Sequence, residues 1–424
     1  MDESHQVPFS RLKKIAGNVL TNCISLKKKE SLLVQFRTRR TDHNIDSGFM
    51  ISQAFLRAAL DMGSTANFIF AESVDDPNAA QDRLFNALSS SWAMHQSFRD
   101  FRSVVTKKKA EEIFANPPDV FMVVAGKGYM GKDVVGREVG YPIPGSRMKW
   151  NSALPVLEKF KWNIQSEFDR RKPLSRAALT YAMPLSKFAN STDIDYKALA
   201  QRTNRLFEII DAAGVVHVEG TKSVTIHGKK HKTCMDFQVR RDWIEVDDGK
   251  CERPGDYVNI PAGEVYLTPK SCDGTYIADG SIHLDNSYII RKPLLIEIKD
   301  GRYTNVQTDD PLLSAAVKRH FISSKKTLEL LKNSKSTPKK LLRIYKGNFT
   351  RIGELGIGTN PKAVLSEFLI EAEKISGTVH IALGSGYAKG TDSVHHDDAV
   401  GGCVTPINVW AGKKQIIRKS RLIV

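Results

Sequence analysis

Long apolar runs are missing from this chain of 424 residues. None approaches the roughly 18 residues that a membrane-spanning helix needs. The stretch from Met1 to Leu20 mixes charged and apolar residues and has no signal-peptide core, so the sequence predicts a cytoplasmic protein. Cysteine is scarce: the five (Cys23, Cys234, Cys251, Cys272, Cys403) are odd in number and scattered. No Cys-x-x-Cys pair occurs, which excludes a zinc knuckle and argues for reduced thiols over a disulfide framework. Internal repeats and low-complexity tracts are also absent. Acidic charge is in deficit, 47 Asp and Glu against 63 Lys and Arg, for a formal net charge of +16. Such an excess can mark a nucleic-acid or acidic-lipid surface. Here the lysines fall in short clusters (27–29, 107–109, 229–230, 339–340) with no nucleic-acid motif beside them. The expectation is a solvated basic face, with no specific nucleic acid and no membrane as partner.

The rest is ordinary for a globular protein, with 41% hydrophobic and 26% charged residues. The length suits two or three domains. Leu32–Phe36 and Ala66–Phe70 read as strands around a helix near Ser52–Leu60, a βαβ unit that implies a parallel sheet. Asp119–Ala125 adds a third apolar strand. It runs into Gly126-Lys127-Gly128-Tyr129-Met130-Gly131, a match to the dinucleotide-loop pattern. That fingerprint belongs to the first βα turn of its domain with an acidic residue about 20 positions on. Here it comes late and precedes a Gly- and Pro-rich stretch, so it reads as a turn. Helices are predicted over 155–170 and 195–213, then strands at 215–218 and 224–226. Beyond Val258 come short strands and turns, a strand over 293–298 and a helix over 310–334. Strands at 341–345 and 379–383 are predicted to flank a helix over 361–374. The fold class expected is an open, mostly parallel α/β N-terminal domain, residues 1–200, followed by an α+β metal-binding domain, residues 201–424.

The chemistry concentrates between Gly353 and Asp398. Glu354, Glu373, His380, Tyr387 and the run His395-His396-Asp397-Asp398 lie among glycines and short apolar segments. Imidazole with carboxylate is the donor mixture that divalent first-row metals favour. His380 lies inside a predicted strand, where a lone histidine is more often a core residue than a ligand. Its neighbours in sequence shift that balance toward a site. His395-x-Asp397 places two donors on one face of an extended segment, and His396-x-Asp398 does the same on the opposite face.

Several motifs in order resemble the thermophilic-type metallo-aminopeptidases, the family of aminopeptidases T and S. They are Pro261-Ala262-Gly263-Glu264-Val265, Gly353-Glu354-Leu355-Gly356-Ile357-Gly358, Glu373-Lys374, Gly377-Thr378-Val379-His380-Ile381-Ala382-Leu383-Gly384, Tyr387 and Ser393-Val394-His395-x-Asp397. The resemblance covers the C-terminal half firmly and the N-terminal half loosely. It implies a two-domain, homodimeric enzyme holding two divalent ions (zinc, cobalt or manganese) that removes N-terminal residues from peptides. The ligands it implies are Glu264, Glu354, His380, His395 and Asp397, with Glu373 an additional candidate. Glu354 or Glu373 would serve as base or bridge, and Tyr387 as oxyanion donor. The His395/Asp397 register is chosen because Ser393-Val394 and Val400-Gly401 then fall in step with the family pattern. The basic charge and the short segment after Tyr387 depart from it. The scaffold also resembles the dihydroxypyridine dioxygenases, which implies as alternative a ring-cleaving enzyme with one Fe(II) at His380, His395 and Asp397. A nucleic-acid-binding protein that kept only the fold is the third class, disfavoured by the filled ligand positions.

Overall fold

The computed structural model describes residues 7–39, 44–73, 118–125, 175–284, 286–333 and 339–424. The glycine loop at 126–131, the lysine cluster at 107–109 and the helix predicted over 155–170 lie outside these residues. The described residues divide into two units. The first runs to Tyr196 and takes back the later segment Gly249–Pro261; the second is Lys197–Asp248 with Ala262–Val424. No helix among the described residues is long and apolar enough to cross a membrane.

In the first unit, β1 (Ser31–Arg39), α2 (Ile45–Asp61) and β2 (Thr65–Ser73) form the βαβ element expected from the sequence, with α1 (Phe9–Asn18) preceding it. Strands β3 (Val120–Ala125) and β4 (Arg176–Tyr181) extend the sheet, and β10 (Tyr257–Ile260) returns from later in the chain to close one edge. The order is β10-β4-β3-β1-β2, every pair parallel. Leu32, Leu33, Val34 and Phe36 are all buried. Consecutive buried positions are what a parallel sheet covered on both faces produces. Gly48 of α2 lets that helix sit on the sheet, since a Cβ there would meet the Phe36 ring at 2.3 Å. A short helix, α3 (Leu185–Thr192), follows β4.

The second unit contains α4 (Tyr196–Ala212, all but its first residue) and two antiparallel sheets. The larger holds β5 (Val215–Gly220), β8 (Cys234–Gln238), β12 (Ser271–Ala278), β15 (Leu294–Lys299), β16 (Arg302–Thr308), β20 (Ile407–Ala411), β21 (Lys414–Arg418) and β22 (Arg421–Leu422). The other holds β9 (Ile244–Asp247), β11 (Glu264–Leu267), β13 (Ser281–His283), β14 (Ser287–Ile289), β17 (Ile352–Gly358), β18 (Val379–Gly384) and β19 (His396–Gly401). Its order is β14-β13-β19-β18-β17-β11-β9. A small hairpin, β6 (Val224–Ile226) with β7 (Lys229–His231), stands apart. The described residues thus form a mixed α/β fold with one parallel sheet and several antiparallel sheets.

One core joins the two antiparallel sheets. Alternate residues of adjacent strands enter it: Val265 and Leu267 of β11, Leu355 and Ile357 of β17, Val379, Ile381 and Leu383 of β18. Tyr276 of β12 crosses this core and its hydroxyl reaches Val379 O at 2.7 Å and Ala399 O at 3.2 Å. Because side chains alternate across a strand, Glu264, Glu354, Gly356 and His380 must point to the other face of the β9–β19 sheet.

The helix predicted over 310–334 forms as α5 (Pro311–Asn333), with Asp310 Oδ1 accepting from Leu312 N and Leu313 N at its start. Two expectations fail nearby. The strand predicted at 341–345 is instead part of a helix, α6 (Lys339–Gly347). A short apolar run carries no period that separates strand from helix, and the lysines and Arg343 between the apolar residues are exposed. The helix predicted over 361–374 shrinks to α7 (Leu369–Ala372). Asn360 Oδ1 accepts from Lys362 N and Ala363 N, and Ser366 Oγ from Phe368 N. Such local side-chain bonds offer the backbone an alternative to a helix.

Candidate metal centre

The inner face of the β9–β19 sheet collects the charged residues. Glu264 pairs with Asp247 on one side and with Gly358 on the other. Gly356 pairs with His380, and Ala382 with Asp398. Glu354 lies within strand β17. Glycine at alternate positions keeps that strand open: a Cβ on Gly356 would lie 2.1 Å from His380 Nε2, and one on Gly358 would lie 2.2 Å from Ile375 O. The glycines therefore make room for an imidazole and for the segment that follows α7.

Two adjoining groups result. In the first, His380 Nε2 is 3.2 Å from Glu354 Oε1, and His396 Nε2 is 3.3 Å from both Glu354 Oε2 and Asp398 Oδ2. His396 Nδ1 is 2.7 Å from the carbonyl of Ser385. A carbonyl only accepts, so Nδ1 carries the hydrogen and Nε2 presents its lone pair when the ring is neutral, the arrangement typical of a ligating histidine. The Tyr387 hydroxyl lies 3.4 Å from His396 Nε2. In the second group, Lys374 is fully buried, with its ammonium on Glu264 Oε1, 2.8 Å from Glu373 Oε1 and 3.5 Å from Asp247 Oδ2. Glu264 joins the two groups, because its Oε2 faces His380 Nε2 at 3.5 Å.

The electrostatics are those of a charge-dense, water-poor site. Burial would push the Glu354 carboxyl up, but His380 and His396 overcome it and hold Glu354 at about 2. Burial disfavours the His380 imidazolium, yet Glu354 and Glu264 raise it to about 9. His396 rises well above its ordinary value against the same burial, through Asp398 and Glu354. Burial outweighs Lys374 at Glu373, pushed up to about 8, and at Asp247, pushed up to about 7. Glu264 Oε2, Asp398 Oδ1 and His380 Nδ1 are buried with no hydrogen-bond partner among the described residues. Buried acceptors without donors are costly, and a cation beside Glu264 Oε2 and Asp398 Oδ1 would satisfy these two.

The residues named from sequence are thus divided by the structure. Glu264, Glu354, Glu373, His380 and Tyr387 share the inner face. His395 and Asp397 do not. Asp397 pairs with Leu383, whose side chain is in the core, so the His395-x-Asp397 register points away from His380. His395 Nδ1 binds Asp397 Oδ2 at 2.7 Å, its Nε2 donates to Phe349 O at 2.8 Å, and His320 Nε2 meets Asp397 Oδ1 at 2.9 Å. Burial would raise the Asp397 carboxyl, but His395 and His320 hold it well below the usual range. His396 and Asp398 take the places beside Glu354 and His380. The reason is strand parity: a shift of one residue moves every side chain to the other face.

Donor atoms of Glu354, His380 and Asp398 lie within 4.8 Å of one another, as do those of Glu264, Glu373 and His380, and those of His320, His395 and Asp397. The first set fits a divalent ion, with His396 as a fourth donor. The last set already satisfies itself by hydrogen bonds. Sequence reasoning did not single out Asp247, which carries no motif, or the charge of Lys374. It also passed over His283 of β13, whose Nδ1 meets Ser287 Oγ at 2.7 Å and whose buried Nε2 has no hydrogen-bond partner among the described residues.

No family model and no curated protein matches the chain. Among solved structures it is similar to 2,5-dihydroxypyridine dioxygenase from Pseudomonas putida KT2440, at 12% identity and a TM-score of 0.58 over 99% of this chain and 98% of that one. It is also similar to AmpT from Thermus thermophilus, at 15% identity and a TM-score of 0.51 over 98% of this chain and 99% of that one. At such identities the likeness is one of fold, and it extends over both units.

Proposed function

We propose that the chain is a metal-dependent aminopeptidase, hydrolysing N-terminal residues of peptides at the face formed by β11, β17, β18 and β19. The observation that carries the reading is the convergence of Glu354, His380, His396 and Asp398, buried beside acceptors that no donor among the described residues satisfies. Here His396 and Asp398 replace His395 and Asp397 as proposed ligands. A divalent ion bound there supplies Lewis acidity and a water acidic enough to ionise near neutral pH. Glu373, lifted by burial to about 8, is suited to exchange protons near neutrality, where a general acid–base group works best. The Tyr387 hydroxyl, 3.4 Å from His396 Nε2, is placed to donate to a developing oxyanion. The fold shared with AmpT accommodates this reading.

A second reading draws on the same geometry. His380, His396 and Asp398 are two imidazoles and one carboxylate, the set that holds non-haem iron in oxygenases, and the dioxygenase-like fold accommodates it. Glu354 and Glu373 are carboxylates that such chemistry leaves unused, so hydrolysis is preferred. Elemental analysis of the purified protein, paired with a panel of aminoacyl-anilide substrates, decides between them. Zinc, cobalt or manganese with release of the anilide supports the peptidase. Iron with oxygen uptake on a dihydroxypyridine supports the dioxygenase, and no bound metal removes both.

A further inference from the structure

Lys374 is a buried charged group that neither reading uses. Its side chain is fully enclosed, and three carboxylates from three separate places in the chain surround its ammonium: Asp247 of β9, Glu264 of β11 and the adjacent Glu373. Of the ammonium's three donors, Glu264 and Glu373 accept two, and Asp247 Oδ2 faces it at 3.5 Å as an ion-pair partner. The backbone fixes it there. Asn360 N donates to Lys374 O at 2.9 Å, Lys374 N donates to Glu371 O at 3.1 Å, and the Asn360 side chain donates to Ala262 O at 2.9 Å. Gly358 permits the approach, since a Cβ there would lie 2.7 Å from the Lys374 carbonyl carbon. The lysine is therefore built into the face and is not a surface side chain that strayed inward.

Its place relative to the metal group is specific. Glu264 turns Oε1 to Lys374 and Oε2 to His380 Nε2, 3.5 Å away. A carboxylate shared in this way is how two cations are bridged in two-metal hydrolases, whose ions lie about 3.5–4 Å apart. We propose that the Lys374 ammonium occupies the second cation position, so that the centre takes a single divalent ion, at Glu354, His380, His396 and Asp398, with Glu264 shared between ion and ammonium. This rests on the metal-dependent reading above and narrows to one the two ions that the sequence resemblance implies. Glu354 and Asp398 together match the charge of one divalent ion, and Lys374 already places one positive charge among Asp247, Glu264 and Glu373. A second divalent ion among Glu264, Glu373 and His380 would have to share that space with the buried ammonium at close range, an arrangement the burial makes costly.

The test is metal stoichiometry, read by elemental analysis after equilibrium dialysis against zinc alone and, separately, manganese alone. The full chain is expected to hold one ion, the Lys374→Arg variant one, and the Lys374→Gln variant, whose three carboxylates lose their cation, two. Circular dichroism and denaturant midpoints establish that each variant is folded. If Lys374→Gln does not fold, the wild-type and Lys374→Arg counts still decide. Two ions in the wild-type chain overturn the proposal while leaving metal dependence standing. A single ion in folded Lys374→Gln overturns it as well, because the ammonium would then not be what excludes the second. No ion in any of them overturns the metal-dependent reading itself.

Discussion

Two neighbouring histidines are expected to fail in opposite ways. His395 and His396 are adjacent in the chain but on opposite faces of the sheet, one among core aromatics and one at the candidate metal centre. Replacing His395 with Ala takes a donor from Phe349 O and leaves the buried Asp397 with His320 as its remaining imidazole. Breaking a buried ion pair by removing one partner costs about 3–5 kcal/mol. The edge-to-face contact with Phe349, with ring centroids 4.8 Å apart, is lost as well. Against a whole-domain stability of about 5–15 kcal/mol, this is a severe loss, and the denaturant midpoint of His395→Ala should fall steeply. His395→Gln, which keeps a donor, should fall less. In both, Glu354, His380, His396 and Asp398 remain in place, so metal per folded chain should be unchanged. His396→Ala removes a donor that lies 3.3 Å from Glu354 and from Asp398. Its metal affinity should drop by more than the roughly 10- to 100-fold typical of losing an outer hydrogen-bond partner. The assay is metal content after dialysis, beside urea unfolding of the same samples. If His395→Ala loses its metal at an unchanged midpoint while His396→Ala keeps its own, the assignment by strand parity is refuted.

Further outcomes follow from the same geometry. Gly356→Ala puts a methyl 2.1 Å from His380 Nε2, so it should lower metal occupancy and the unfolding temperature together; a normal metal content would count against the cradle. Metal uptake should release protons and tighten as pH rises from 6 to 9, because ligands bind deprotonated while the metal-free site holds His380 protonated up to about 9. Calorimetry in buffers of different ionisation enthalpy reads this directly. In the metal-free protein the sign is opposite. The raised His380 contributes stability that is fully present below about 6.5 and is lost as pH rises through about 9, so the apo melting temperature should decline over that window. Tyr387→Phe should keep its metal and lose about 100- to 1,000-fold in turnover if the hydroxyl serves the oxyanion; an unchanged kcat would remove that role.

Much of the first unit was legible because a βαβ unit writes its period into the sequence, as Leu32–Phe36 and Ser52–Leu60 show. The site was half legible. Val379, Ile381 and Leu383 alternate with His380, so the face of β18 can be read directly. The face of β19 cannot. Ala399 and Val400 are both small and apolar, and neither parity of His395-His396-Asp397-Asp398 exposes a hydrophobic residue. What settles the register is the pairing of Leu383 with Asp397 and Gly384 with His396 across an irregular connection, a long-range fact that local pattern does not encode. Asp247 was invisible for a similar reason: its partner Glu264 is opposite in register, and nothing near Asp247 in the chain announces that. Lys374 was visible within the Glu373-Lys374 motif, but its charge acquires meaning only when Glu264, 110 residues away, is brought to it.

The glycines of Gly353-Glu354-Leu355-Gly356-Ile357-Gly358 show how a motif can be recognised while its structural reason is missed. Glycine weakens a strand, and in a strand interior it commonly marks the close approach of another group. In β17 the residues that face the core are Ile352, ahead of a register shift, and then Leu355 and Ile357, and those that face the site are Glu354, Gly356 and Gly358. The alternation is therefore an ordinary two-sided strand whose inner face has been emptied except for one carboxylate. The emptied positions are filled from outside the strand, Gly356 by the His380 ring and Gly358 by the Lys374–Ile375 backbone. Each glycine thus admits one of the two groups that set the charge around Glu264: the imidazole that faces the ion and the ammonium that stands beside it. A strand with alanine at both positions would keep its core packing through Leu355 and Ile357 and still lose the centre. That is why these glycines belong to the chemistry of this face as well as to the stability of the sheet.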